Sequence, residues 1–242
     1  MSHDPGAPRG LPFLPPVDPA AARPGEADVS AEAFAGFLAD GDEEVARWAL
    51  SRQLAARPRA AVYDSFVRDA MRLVGERWLS GRWTISEEHL ASRTLGRVLT
   101  SLAPQPQPAD RLNPVAVLAG VTGEEHSIGL MTLAHVLTEA GFAVSDLGPD
   151  VPGDDLVRFV ARTDARLVAL TASSMQRAEA LRDTAAALHA LPRPPALLVG
   201  GRIVELGGVG DLGADWSGSS LVECARFARE LAARLAGPDG GS

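Results

Sequence analysis

The chain has 242 residues, 46% apolar and 22% charged, with a formal net charge of -8, a globular composition with enough apolar side chains for one large core or two smaller ones. An acidic balance without clustered cations argues against a nucleic-acid surface, so no direct nucleic-acid binding is expected. No run approaches the roughly 18 apolar residues of a membrane span and the N-terminus carries no signal pattern, so the expectation is a cytoplasmic protein with no membrane partner.

Residues 1–29 hold a dense set of prolines and glycines and read as a flexible tail, in which Leu11, Phe13 and Leu14 are apolar enough to pack on a neighbour. Ser30 then suits the N-cap of a first helix, "SAEAFAGFLADG", with Phe34, Phe37 and Leu38 at helical spacing. A second, "DEEVARWALSRQLAAR", follows the Asp-Gly-Asp break at 40–42 and places acids in its first turn. Pro58 opens a third, "PRAAVYDSFVRDAMRLVGERWLSG", whose apolar positions Val62, Phe66, Met71, Val74 and Trp78 keep the helical period to Gly81. The fourth is "TISEEHLASRTLGRVLTSLAP". Four amphipathic helices with short connections predict an antiparallel bundle over 30–104.

A proline-rich spacer, residues 105–112, separates this bundle from a different rhythm. Short apolar runs ("PVAVLAG", "FAVSDLG", "RLVALTA", "PALLVGG", and a weaker "GADWSG") alternate with amphipathic stretches that end in "SLVECARFARELAARLAG". Strands apolar on both faces predict a parallel sheet, so residues 113–238 read as a Rossmann-like, doubly wound, five-stranded domain, with a short tail over 239–242. The overall class is therefore all-α followed by α/β. Ligands of such sheets bind outside the carboxyl ends of the strands.

Several chemistries are excluded. All 23 basic residues are arginine, which removes the phosphate-loop lysine and every Schiff-base mechanism. Serine-hydrolase elbows, HExxH helices and CxxC pairs are absent, and the single Cys224 forms no internal disulfide. What stands out is "VTGEEHSIGL", residues 121–130, which follows the first strand and precedes a helix. Glu124, His126 and Gly129 there have the spacing [DE]-x-H-x-x-G.

At these residues the chain resembles the cobalamin-binding domain family, whose D-x-H-x-x-G loop follows the first strand. The resemblance implies that His126 is the lower axial ligand of cobalt and Glu124 the carboxylate that fixes its tautomer and raises its basicity, with Glu standing where the family has Asp. Ser127 and Gly129 belong to the same cofactor-binding loop, Gly129 leaving room for the displaced nucleotide tail. A hydroxyl after the third strand falls to Thr171 or Ser173, since the family's S-x-L reads T-x-S here, and Gly200 and Gly201 match its Gly-Gly after the fourth.

The bundle carries a second resemblance. Trp78, nine residues, then Glu88 and His89 look like the W(x9)EH cap of the CarH-type light-sensing cobalamin domains. That implies adenosylcobalamin as cofactor: an indole packed on the adenosyl group, a carboxylate at its polar edge, and His89 as the upper ligand once light has cleaved the cobalt–carbon bond. Taken alone, Trp78 fits a core position as well, and Glu88 and His89 lie about 100° apart on their helix, so one of them can face solvent. His135 and His189 read as ordinary helix residues.

The winged helix-turn-helix domain with which the repressors of that family begin has no counterpart in this sequence. The expected output is therefore self-association, with a homo-oligomer in at least one state, or a protein partner. The layout also resembles photocobilins, which implies biliverdin as a second chromophore. Cys224 lies far along the sequence from the cap, so the expectation is that a bilin would be held noncovalently. The implied function is a photosensory binding protein without catalysis of its own; the alternative is a methyl-carrying corrinoid protein of a methyltransferase system. A mutase subunit would need a substrate barrel on another chain.

Overall fold

The structure is a computed structural model that describes residues 29–105 and 113–236. The apolar tail residues Leu11, Phe13 and Leu14, the residues of the spacer from 106 to 112, and the C-terminal residues from 237 onward lie outside the described residues. Helices α1 (Ala31–Ala39), α2 (Glu43–Ala56), α3 (Arg59–Val62), α4 (Arg68–Leu79) and α5 (Ile85–Ser101) come first. They begin where their caps put them. The side chains of Ser30 and Asp42 accept from Ala33 N and Val45 N, and Thr84 forms a reciprocal capping box with Glu87.

The third predicted helix is one rod with an irregularity that periodicity does not reveal. Between α3 and α4, residues Tyr63–Val67 form a π-turn, and the residues at both joints keep helical backbone angles, so the rod runs on without a break. Ser65 Oγ donates back to the Ala61 carbonyl at 2.7 Å, a bond that competes with the regular helical ladder. The core of the bundle is built on Phe34, Leu38, Leu50, Phe66, Leu95 and Leu99, with the Phe34 and Phe66 rings stacked at 4.7 Å. Val136 and Ala225, from the second half of the chain, belong to that same core.

The second half alternates β1 (Val115–Gly120), α6 (Ile128–Glu139), β2 (Ala143–Asp146), α7 (Gly153–Thr163), β3 (Leu167–Thr171), α8 (Ala178–His189), β4 (Ala196–Gly200), a short α9 (Arg202–Glu205), β5 (Trp216–Ser217) and α10 (Leu221–Leu235). All strand pairs are parallel, in the order β2-β1-β3-β4-β5. β1, β3 and β4 are buried on both faces, as their unbroken apolar runs require. The direction of winding reverses between β1 and β3, so the loops after these strands part and leave a crevice.

The two halves are tied by two polar anchors on neighbouring residues of the π-turn. The Tyr63 hydroxyl donates to His135 Nδ1 on α6 at 2.7 Å and accepts from Arg59 Nη1, while Arg59 Nε pairs with Glu139 at 2.7 Å. The Asp64 carboxylate caps α10, accepting from Ser220 Oγ, Leu221 N and Val222 N. His135 is thus no ordinary helix residue: it is 7% exposed, and burial together with the Arg59 guanidinium pushes its pKa down to about 4.

That depression has a sign. The folded chain holds His135 neutral while the unfolded chain protonates it near pH 6.5, so its contribution is complete above that pH and is lost as pH falls toward 4. A loss of about 3 kcal/mol is expected over this window. Denaturant titrations at stepped pH check it: a non-titrating His135→Gln variant should show a flatter profile between about pH 6.5 and 4.5, and an unchanged slope would remove His135 from the acid response.

Candidate functional site

β1 ends in Gly120, where the chain turns under Glu124: an added Cβ would meet Glu124 Cγ at 3.2 Å and Pro149 Cα at 3.1 Å. The missing side chain lets the Glu124 carboxylate fold back beneath its own loop, where the residue is 1% exposed. Its Oε1 accepts from His126 Nδ1 at 2.6 Å and from the His126 backbone N–H at 2.9 Å, and its Oε2 accepts from the Ser173 backbone N–H in the loop after β3. The carboxylate therefore spans the crevice at the winding reversal. Burial alone would raise its pKa, but the hydrogen bonds from His126 and Ser173 outweigh it and hold Glu124 at about 2, ionised at every ordinary pH.

His126 is the opposite case. Its side chain is 78% exposed, with Nδ1 engaged by the carboxylate, which raises the ring's pKa and leaves Nε2 as the nitrogen free for a ligand. Arg177 was not singled out from the sequence, yet it locks the same corner. Its Nε donates to the Gly123 carbonyl at 2.7 Å, its Nη1 to Ser174 Oγ at 2.7 Å, and it stands 3.8 Å from Glu124 Oε2.

Two cavities meet at this imidazole. The lower, about 810 Å³, is lined by Glu124, His126, Gly129, Thr171, Ser173, Gly200 and Gly201 from the sheet half and by Tyr63, Val67, Arg68 and Met71 from the bundle. The upper, about 1420 Å³, lies between α4 and α5 on one side and the 125–131 segment on the other, and brings Trp78, Glu88, His89, Ser127, His126 and Gly129 together. Every residue singled out from the sequence lines one cavity or the other, and His126 and Gly129 line both.

Three details bear on what these spaces take. Thr171 Oγ1 is buried without a hydrogen-bond partner, an acceptor and donor left for something that enters the lower cavity. The position where Gly129 would carry a Cβ has no atom within 4 Å, so open space runs past its backbone. Gly201 has a different duty: at φ 92° its Cβ would drive into the Ala172 carbonyl, so glycine there is required by close packing of the β3 and β4 loops. Each cavity exceeds or matches the usual ligand-pocket range of roughly 300–1,000 Å³.

On the bundle side, Trp78 is 43% exposed and so is not a core residue. Glu88 Oε2 accepts from His89 Nδ1 at 2.6 Å and Glu88 Oε1 from Ser92 Oγ at 2.9 Å, so the adjacent pair is joined, with the His89 ring 67% exposed. The Glu88 carboxylate is close enough to His126 to favour its protonated form across the upper cavity. Gly75 and Gly96 line this space from mid-helix positions; helical glycines are costly, and here they enlarge the cavity.

Among the described residues no helix is long and apolar enough to cross a membrane. Residues 114–217 match a family model described as B12 binding domain, and residues 31–103 match a second model of the same description. The HTH-type transcriptional repressor CarH of Myxococcus xanthus is 37% identical over 153 residues, covering 63% of this chain, which spans about half (50%) of the repressor's length. Dimethylamine corrinoid protein 3 of Methanosarcina acetivorans is 26% identical over 186 residues, 76% of this chain and 87% of that one. The solved structure of the Methanosarcina barkeri monomethylamine corrinoid protein superposes with a TM-score of 0.65 at 20% identity, over 82% of this chain and 96% of that one, and has the same fold. With a B12-binding model matched to its helical half and another to its sheet half, the chain belongs to the cobalamin-binding proteins.

Proposed function

We propose that this protein is a light sensor that holds adenosylcobalamin between its helical cap and its Rossmann-like domain, and signals through a change in domain packing. The observation that carries the reading is the His126 ring, fixed through Nδ1 by a buried carboxylate and exposed where the two cavities meet, opposite a wall that holds Trp78, Glu88 and His89. The residues present fit such a cofactor: an imidazole with a free nitrogen, an orphaned hydroxyl at Thr171, and clear space beside Gly129.

When bound, adenosylcobalamin supplies a cobalt–carbon bond that light cleaves. His126 offers Nε2 as the lower ligand while Glu124 holds its other nitrogen. Gly129, Thr171, Ser173, Gly200 and Gly201 would receive the rest of the lower face and the nucleotide tail, and Ser127 would hold the cofactor from the upper cavity. Trp78 and Glu88 receive the adenosyl group, with space opened by Gly75 and Gly96. His89 would be the cap-side imidazole within the upper cavity able to take the place of a lost upper group, and the cap would shift to follow it. Output then passes to a second copy of the chain or to a protein partner. The 37% identity to a repressor supports a sensor, and carries no operator binding over to this chain.

The test is illumination of protein loaded with adenosylcobalamin in the dark. Green light is expected to change its spectrum irreversibly together with its size in solution; no change in either ends the sensor reading. In that assay His89→Ala should bind normally in the dark but give a different illuminated spectrum, and Trp78→Ala should lose preference for the adenosyl form. Expression with both cobalamin and biliverdin adds one readout, a red-absorbing band beside the corrin bands, which tests for a bilin chromophore.

A second reading, a methyl-carrying corrinoid protein, is favoured by the match that spans 87% of a dimethylamine corrinoid protein. A carrier accepts methylcobalamin and cycles with a methyltransferase, whereas a sensor prefers the bulkier adenosyl form.

A further inference from the structure

The walls of the lower cavity come from both domains. Tyr63, Val67, Arg68 and Met71 face it together with Thr171 and Ser173, while Met71, Val74, Gly75 and Trp78 face the upper cavity. All these bundle residues lie on the one rod formed by α3, the π-turn and α4. From Tyr63 to Trp78 that rod covers about 22 Å, at 1.5 Å per residue. A single helix thus reaches the lower compartment with its first half and the upper compartment with its second.

The first half is also fastened in place. Arg68 Nη2 donates to Asp64 Oδ1 at 2.6 Å and to the Ser219 carbonyl, and Ser219 itself lines the lower cavity. Tyr63 is held by His135 and Arg59, and Val67 is 3% exposed. These side chains are a fixed wall, apolar at Val67 and cationic at Arg68. Arg177 and Arg202 add positive charge on the sheet side of the same space, which also holds the Glu124 and Glu205 carboxylates. A flat base joined to a phosphodiester, the chemistry of a corrinoid's nucleotide tail, matches an apolar wall beside guanidinium groups.

We infer that the cap recognises the nucleotide tail as well as the upper face of the cofactor, with Val67 and Arg68 as specificity-determining residues for a tailed corrinoid. This rests on the corrinoid reading of the two cavities. A cobinamide, which lacks the nucleotide, has nothing to place against Val67 and Arg68.

The test is equilibrium binding, in the dark, of adenosylcobalamin and adenosylcobinamide to the full chain and to its Val67→Phe and Arg68→Ala variants. Each variant is expected to lose about tenfold or more in affinity for adenosylcobalamin while staying within about twofold for adenosylcobinamide. The tailless ligand serves as the control for folding, and Arg68→Ala, at a half-exposed position, keeps the test open if Val67→Phe fails to fold. Equal weakening toward both corrinoids, or no weakening toward either, overturns the inference. If the unaltered chain binds neither corrinoid, the parent reading falls and takes this one with it; if it binds both and the variants do not discriminate, only the tail assignment falls.

Discussion

Glu124→Ala is expected to lower corrinoid retention about ten- to a hundredfold and to destabilise the protein by about 2–4 kcal/mol. The functional loss follows from the His126 ring. Without the carboxylate, Nδ1 has no anchor, the imidazole is free to turn, and the tautomer that presents Nε2 is no longer selected. The loss of stability has a separate source, because the backbone N–H groups of His126 and Ser173 lose the acceptor that the 1% exposed Glu124 carboxylate supplies to both. Glu124→Gln keeps one acceptor oxygen but turns an amide N–H toward a donor, so an intermediate result is expected.

Corrin absorbance after gel filtration reads retention, and urea unfolding reads stability. A variant that unfolds earlier but keeps its corrinoid would make Glu124 a structural brace alone. The acid response has its own window. With a pKa near 4.5 unfolded and about 2 folded, Glu124 contributes fully above pH 4.5 and loses that contribution as pH falls toward 2, below the range in which His135 acts.

Asp64→Ala is expected to cost a further 2–4 kcal/mol, roughly, by releasing the first turn of α10. One carboxylate, 15% exposed, accepts from Ser220 Oγ at 2.8 Å, Leu221 N at 2.8 Å and Val222 N at 2.9 Å. It is also the Arg68 counter-charge at 2.6 Å. Its removal leaves two helix-terminal donors and a guanidinium short of an acceptor, and loosens the cap from the sheet half at the same stroke. Asp64→Asn, which keeps an oxygen, should recover much of the loss. Urea unfolding of the three proteins decides the matter, and a difference below about 0.5 kcal/mol for the alanine variant would mean that packing alone seats the cap.

Much of this architecture is legible in the residues because its causes are local. Ser30 announces a helix start by cap chemistry that involves a neighbour three residues away, and the structure shows Asp42 and Thr84 capping theirs in the same local way. The buried strands announce themselves as unbroken apolar runs, and the Glu124–His126 pair bonds across two positions. What the residues conceal is bonded across the chain. Arg177 reaches back to the β1 loop, Tyr63 meets His135, and Asp64 meets Ser220, contacts that leave no periodic trace. The π-turn is hidden for another reason. Val62, Phe66, Ala70 and Val74 are buried at a spacing of four, which an ordinary helix with a broad apolar face tolerates equally well. Trp78, which periodicity alone places in a core, instead lines the upper cavity, as Gly75 does one turn before it.

The π-turn also sets a phase. It admits one more residue per turn than the helix on either side, so α4 emerges rotated relative to α3 by about 100° from where an unbroken ladder would put it. A regular ladder through the same residues would swing Met71, Gly75 and Trp78 around the axis, away from the space they wall, whereas removing a single residue between Tyr63 and Val67 would restore that ladder and keep them in phase. The angular setting of the upper compartment relative to the lower one is thus written in a one-residue surplus.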